Sequence, residues 1–280
     1  MKLAVTGAGG MLGQDVVRAA RAENHEVVAL TRADADVTDA AAVRERITAE
    51  HPDAVINCAA WTDVDGAESD PEGAAAVNAA GAGNVAAAAA EVGARVLFVS
   101  TDYVFDGSGS EPWTESDAPA PLGAYGRTKL GGEEATRAAT DRHFVVRSSW
   151  LFGAGGRNFV ATMLSLAEEH DEVIVVRDQI GCPTYTGHLA RALVRLVASE
   201  AFGIHHIAGG GWCSWYDLAR EAFAQEGVAC RVMSCTTAET ARPAPRPLWS
   251  ALGSERPDPL TLPAWQDGLA AYLAERRVAA

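Results

Sequence analysis

The sequence predicts an α/β protein, a doubly wound parallel sheet with a smaller C-terminal lobe. Three observations lead there. Short apolar or β-branched runs alternate with helical stretches from Lys2 to Arg147, as repeated βα units with parallel strands require. The first run opens directly into a glycine-rich turn, Thr6 to Gly13. The fourth, Val96-Leu97-Phe98-Val99, ends in Ser100-Thr101-Asp102, so hydroxyls sit at the carboxyl end of a buried strand, where open α/β sheets take their ligands.

Lys2 to Thr6 reads as a short buried strand, and the helix after the turn runs to about Ala22. Gly7, Gly10 and Gly13 form a G-x-x-G-x-x-G pattern: the first for a tight turn, the second for close approach of a pyrophosphate, the third for close helix-strand packing. Glu26 to Leu30 is the second strand and ends in Thr31-Arg32. The acid that would hold an NAD ribose is missing there, and Arg32 can pair with a 2′-phosphate instead, which predicts NADP(H). The competing reading makes Arg32 a solvated surface residue and gives the acid's role to Asp34 or Asp36.

Asp39 to Glu50 predicts an amphipathic helix. Asp53 to Ala60 predicts a third strand whose small terminal residues, Cys58, Ala59 and Ala60, let a cofactor lie close. Trp61 to Glu68 reads as a loop, the alanine-rich stretch Pro71 to Val92 as a helix, and the helix containing Tyr125 and Lys129 runs to about Thr140. His143 to Arg147 is the next strand, after which the βα regularity dissolves. Residues 1–147 are expected to form a dinucleotide-binding Rossmann domain, with segments near 173–178 and 203–236 returning to it. Residues 148–280 are expected to form mainly a substrate-binding lobe, with helices over 158–168, 188–199 and 215–225, a loop over 178–184, and a Pro-punctuated tail holding Arg242 and Arg246.

The chain has 280 residues, 48% of them hydrophobic, enough for a sizeable core. Its net charge of −14, from 37 acidic and 23 basic residues, argues against nucleic acid or an anionic membrane as partner. Five cysteines without a C-x-x-C pair fit a reduced cytoplasm better than a disulfide framework. No signal-peptide stretch or run long enough to span a bilayer is evident. The seven histidines are scattered, without metal-ligand spacing, and His205-His206 alternate across a strand; a structural role is expected for them, and no metal.

Tyr125 and Lys129 stand four residues apart at the start of a helix, so one face carries both. A nearby ammonium favours the phenolate, and a lowered phenol pKa suits proton transfer. Thr101 can add a neutral hydrogen bond to the same substrate oxygen. Tyr and Lys at this spacing are common on helices, so the argument rests on their placement after the strand ending in Thr101.

With these residues in order, the chain resembles the extended short-chain dehydrogenase/reductases, and within them the dTDP-4-dehydrorhamnose reductase family. The resemblance rests on the glycine turn, Ile56-Asn57-Cys58-Ala59-Ala60, Thr62 to Glu68, Ser100 to Gly107, Tyr125-Gly126-Arg127-Thr128-Lys129, Asp178-Gln179 with Gly181 and Pro183-Thr184, and the Arg-Pro tail. It implies NADPH-dependent reduction of the 4-keto group of a dTDP-linked 6-deoxyhexose, with NADH less preferred. Thr101, Tyr125 and Lys129 are implied as catalytic residues. Gly7, Gly10, Met11, Leu12, Arg32, Asp36, Val37, Cys58, Ala59, Ala60, Tyr125 and Lys129 are implied around the cofactor. Thr62, Val64, Thr101, Phe105, Trp150, Asn158 and Arg246 are implied around a nucleotide-sugar substrate, and the chain could form a homodimer. Some members dimerise through magnesium held by acids. Asp15 could serve as one, but Tyr185-Thr186-Gly187-His188 offers none. Where many members have Ser-Arg-Leu, this tail has Trp249-Ser250-Ala251-Leu252, so a contact from that Arg would fall to Arg246 or Arg242. The alternatives are an NADP-binding regulatory subunit without turnover and a sugar-nucleotide epimerase. A 4,6-dehydratase would need an Asp-Glu pair after Thr101, where this chain has Asp102-Tyr103.

Overall fold

In the computed structural model, which describes residues 1–279, the first half builds a six-stranded parallel sheet. Its strands are β1 (Lys2–Thr6), β2 (Glu26–Leu30), β3 (Ala54–Asn57), β4 (Arg95–Thr101), β5 (His143–Ser148) and, from much later in the chain, Gly203–His206 beside β5. Across the sheet the order is Gly203–His206, β5, β4, β3, β1, β2. The chain reverses its winding between β1 and β3, and the crevice at their carboxyl ends is where such sheets bind ligands.

Side-chain parity explains the layers. Leu3 and Val5 of β1 face the helix α1 (Met11–Ala22), whereas Ala4 faces α2 (Ala40–Glu50) and the helix Gly81–Glu91. Leu12, Val16 and Ala20 recur at every fourth position along α1 and are buried on the sheet. Both faces are thus covered, and β1, β3 and β4 consist almost wholly of buried residues.

Three local departures from the sequence reading bear on the site. Within 61–68 the chain forms a helix, α3 (Val64–Ser69), started by the Asp63 carboxylate accepting from Gly66 N at 2.9 Å. The helix expected over Pro71–Val92 is divided into α4 (Pro71–Ala75) and α5 (Gly81–Glu91) by a wider turn over Ala76–Ala80. That turn places the fully buried Asn78 to hold the backbone of Trp61, at 2.9 Å through its N–H and 3.2 Å through its carbonyl. The segment near 173–178 does not return to the large sheet. Its strand Glu172–Val176 pairs in parallel with Arg231–Cys235 as a separate two-stranded sheet, and of 203–236 only Gly203–His206 joins the six-stranded one.

The later segments gather around a second core of Phe152, Val160, Leu164, Phe223, Trp265, Leu269 and Tyr272. Next in chain order come α6 (Ala124–Ala139), α7 (Phe159–Glu169), α8 (Thr186–Val197), α9 (Trp215–Glu226) and α10 (Trp265–Ala279). Of these, α8 packs beside α1 on the large sheet, its Leu189, Leu193 and Val197 buried there. Among the described residues no helix is long and apolar enough to cross a membrane. The five cysteines are all free.

Candidate active site

Two adjoining cavities, of about 490 and 660 Å³, lie over the carboxyl ends of β1, β3 and β4 and share Gly10, Cys58 and Ala60. The first is lined by Gly7, Arg32, Asp36, Val37 and Ala59. The second holds Met11, Leu12, Thr62, Val64, Thr101, Tyr125, Lys129 and Trp150. A third cavity, of about 380 Å³, opens beside the second, shares Tyr103 and Trp215 with it, and is lined by Arg242 and Arg246.

Gly7 sits at φ +65°, and a Cβ there would lie 2.6 Å from Ala59 N and 2.7 Å from the Cys58 carbonyl carbon. Only glycine permits both the left-handed backbone and this contact between the ends of β1 and β3. Gly10 is the N-cap of α1, and among the described residues no side chain caps the helix or puts a negative charge in its first turn. Gly10, Met11, Leu12 and Gly13 line the cavities, and the first N–H groups of a helix are a donor set with partial positive charge suited to a pyrophosphate. The residues present therefore fit a dinucleotide. Gln14 closes the turn by donating from Nε2 to Gly9 O at 2.9 Å and Gly155 O at 3.2 Å, bringing Gly155-Gly156-Arg157 over the site. Arg32 is exposed at the rim and donates from Nε to Asp36 at 2.9 Å. Asp34 is engaged with the Thr31 N–H and hydroxyl, at 2.9 and 2.6 Å.

Thr101 ends β4, donating to Asp102 Oδ1 at 3.1 Å and accepting from Tyr103 N at 3.2 Å. Tyr125 belongs to the first turn of α6, and Glu68 fixes that turn by accepting from Ala124 N at 2.6 Å. Asp65 grips Arg246 through two contacts, at 3.1 and 3.0 Å, and Ala244 N at 3.1 Å. The stretch Thr62 to Glu68 thus lines the cavity with Thr62 and Val64, while Glu68 ties that wall to α6 and Asp65 ties it to the Arg-Pro tail.

The electrostatics differ from the sequence expectation. Burial pushes the Tyr125 phenol up to about 12; the Thr101 hydroxyl pulls the other way and the Asp102 carboxyl adds to the rise. Burial lowers Lys129 to about 7, opposed chiefly by the Glu133 carboxylate. The ammonium is directed to the backbone of β4, donating to Val99 O at 2.6 Å and lying 4.1 Å over the Phe98 ring. Desolvation outweighs the expected ammonium-phenol coupling, so the phenol rests as a proton donor. Asp102, 2% exposed, is pushed up to about 7 by burial, and its Oδ2 has no hydrogen-bond partner among the described residues.

Three residues implied around the substrate lie outside the cavity that holds Thr101 and Tyr125. Phe105 is fully buried, stacked on Trp113 at 4.7 Å, because the 3-10 turn Asp102–Val104 swings it inward. Asn158 is the N-cap of α7: Oδ1 accepts from Ala161 N at 2.9 Å while Nδ2 donates to Gly153 O and the Tyr272 hydroxyl. Arg246 lines the third cavity rather than the one holding Thr101 and Tyr125.

Trp150 takes the left-handed region at φ +49° and stacks on Trp215, ring centroids 3.6 Å apart and 5° from parallel. A Cβ on Gly181 would fall 2.4 Å from the indole, so that glycine makes room for the wall. Nothing in the sequence marked Trp215, which arrives from α9 in the second lobe. Asp15 is spent inside the chain, accepting from the Thr186 hydroxyl at 2.5 Å and from Arg18 at 2.8 Å. Among the described residues, no group of three or more His, Cys, Asp or Glu could hold a metal ion.

The doubly wound sheet, with the glycine turn facing Thr101, Tyr125 and Lys129, is the arrangement of an extended short-chain dehydrogenase/reductase. Residues 1–278 match the family described as RmlD substrate binding domain. The spore coat polysaccharide biosynthesis protein SpsK of Bacillus subtilis is 40% identical over 98% of both chains. A dTDP-4-dehydrorhamnose reductase of Mycobacterium tuberculosis is 47% identical over 91% of this chain and 86% of its own. The structure of a dTDP-4-dehydrorhamnose reductase from Bacillus anthracis in complex with NADP superposes with a TM-score of 0.95 at 35% identity, covering 98% of this chain and 99% of that one. The chain belongs to the dTDP-4-dehydrorhamnose reductase family.

Proposed function

We propose that this protein is an NADPH-dependent reductase of the 4-keto group of a dTDP-4-keto-6-deoxyhexose, with dTDP-4-dehydro-L-rhamnose as its substrate, acting in the cytoplasm. The observation that carries this reading is the common cavity in which the start of α1, Thr101, Tyr125 and Lys129 meet. Family membership supplies the substrate class. Bound NADPH supplies the hydride for C4. Tyr125 gives its proton to the carbonyl oxygen as charge develops there, and the Thr101 hydroxyl, rotated from Asp102, donates its one hydrogen bond to the same oxygen. Lys129 holds the nicotinamide ribose with the donors not used by Val99 O. Trp150 and Trp215 form an apolar wall for the sugar, while Arg242 and Arg246 flank the neighbouring cavity into which the nucleotide end extends.

The test is NADPH oxidation with a dTDP-4-keto-6-deoxyhexose, with and without prior 3,5-epimerisation, and analysis of the product sugar. Turnover to a 4-hydroxy sugar with consumption of NADPH supports the proposal. Binding of NADP without turnover favours the regulatory-subunit alternative, and interconversion of epimers without net oxidation favours the epimerase.

Cofactor choice carries its own prediction. Arg32 must leave Asp36 to meet a 2′-phosphate, so part of the gain is spent on breaking an existing exposed pair. Arg32→Asp should lower the preference for NADPH over NADH by about tenfold, the lower end of what a charge-assisted pair is worth. Unchanged selectivity would assign the 2′-phosphate to other donors.

A further inference from the structure

Behind Lys129 lies a buried charge network that the chemistry above does not use. Glu133, one helical turn further along α6, and Arg147 of β5 are each 1% exposed. They form a two-point pair: Arg147 Nε to Glu133 Oε1 at 2.9 Å and Nη2 to Oε2 at 2.7 Å. Ser100, the residue before Thr101, donates to Glu133 Oε1 at 2.5 Å. On the other side Arg147 Nη1 meets His206 Nε2 at 3.4 Å, and the His206 Nδ1–H points at the carbonyls of Trp113 and Gly253, both at 2.9 Å. Burial and Arg147 lower the His206 pKa, consistent with a neutral ring that accepts from Arg147. The Glu133 carboxylate therefore joins α6 to the ends of β4 and β5, and Arg147 extends the network to the strand Gly203–His206.

Such a pair is a poor way to gain stability, because desolvating two charges offsets most of their attraction and apolar residues of similar volume serve as well. Its position gives it another use. The titratable and charged groups around Lys129 are Glu133 and Tyr125 on its own helix and the Cys58 thiol after β3; burial keeps the phenol and the thiol neutral. Arg147, Ser100 and His206 stand beyond Glu133. The negative end of the pair thus faces the lysine.

Resting on the reductase reading above, we propose that Glu133, held by Arg147 and Ser100, is a positioning residue: it supports the Lys129 ammonium from one helical turn away and fixes α6 against β4 so that Tyr125 and Thr101 converge on one substrate oxygen. Glu133→Gln alone would strand the Arg147 charge and risks the fold. The informative variant is the double Glu133→Gln, Arg147→Met, which removes both charges at similar volume. Its melting temperature is expected to stay within a few degrees of wild type, while kcat falls by about tenfold or more, as small misplacements of reacting groups do. The pH at which NADPH binding weakens is expected to move down by about half a unit or more, because Lys129 loses its nearest carboxylate. A second variant, Glu133→Asp, keeps the charge and withdraws it by one methylene; kcat should fall while the pH midpoint of NADPH binding holds. A double variant with wild-type kcat and pH midpoint, or an aspartate variant with wild-type kcat, overturns the proposal. The NADPH titrations need no turnover. A wild-type enzyme that binds NADPH but reduces no keto sugar would therefore sink the reductase reading alone, and the shift in midpoint would still report on Glu133.

Discussion

Tyr125→Phe is expected to lower kcat by about 10²–10⁴-fold, the range for losing a positioned general acid, with NADPH affinity within a few-fold of wild type. The phenol is pushed up to about 12 by burial, so it is protonated throughout the pH range in which the enzyme would work. In the reduction direction that is the useful state, since the group must hold a proton until the substrate oxygen acquires charge. The substitution removes one oxygen and leaves the ring, which packs edge-on against Tyr103 at 5.8 Å, so the wall of the cavity persists. Thr101→Val withdraws one hydrogen bond and no proton and should cost less, mostly in kcat. Single-turnover and steady-state measurements on both variants decide the assignment. A Tyr125→Phe enzyme within a few-fold of wild type would remove Tyr125 as the proton donor.

The parts of this site that the sequence made legible are those in which one residue type has one physical use. A glycine before a helix after a strand, as at Gly7, has few other reasons to exist, and the structure puts its missing side chain against Ala59. Thr101 ends a strand whose six residues from Val96 are all buried, so its hydroxyl had to emerge at the ligand edge. What was not legible depends on encounters between distant segments. Trp215 meets Trp150 only because the second lobe brings the start of α9 against the residues that follow β5, and no local pattern encodes that. Phe105 shared a motif with Thr101, but the tight turn between them sends one into the cavity and the other into the core. Asn158 followed the same logic in reverse: its amide was read as a ligand contact, yet its position before Phe159 made it the start of a helix. The strand Glu172–Val176 found a partner in Arg231–Cys235, more than fifty residues on, because a separate lobe with its own core was there to receive it. The pairing of Tyr125 with Lys129 was right in geometry and wrong in electrostatics, since spacing says which residues share a face and nothing about how much water each loses.

That last difference makes Lys129→Met the sharper experiment. Lys129 is 2% exposed and its ammonium is lowered to about 7 by burial, opposed chiefly by Glu133. One of its three N–H donors is already given to Val99 O, leaving two for the hydroxyls of a bound ribose. Before cofactor binds, the charged form therefore declines as pH rises through neutrality, and binding that needs the ammonium weakens in the same direction. NADPH affinity of the wild-type protein should fall between about pH 6 and about pH 9, whereas the methionine variant should bind weakly and without that limb. Its dissociation constant should be about 10–100-fold higher, the worth of charge-assisted hydrogen bonds to a buried donor, and kcat should fall as well because the nicotinamide loses its anchor. Methionine matches the length of the lysine stem and keeps its apolar packing on Phe98, so the loss should report on charge rather than on the fold. Comparison with the variant also cancels the cofactor's own phosphate ionisation, which both proteins share. If wild type and Lys129→Met show the same pH dependence of NADPH binding, the lysine does not act through its charge on the cofactor, and the role assigned to it here is wrong.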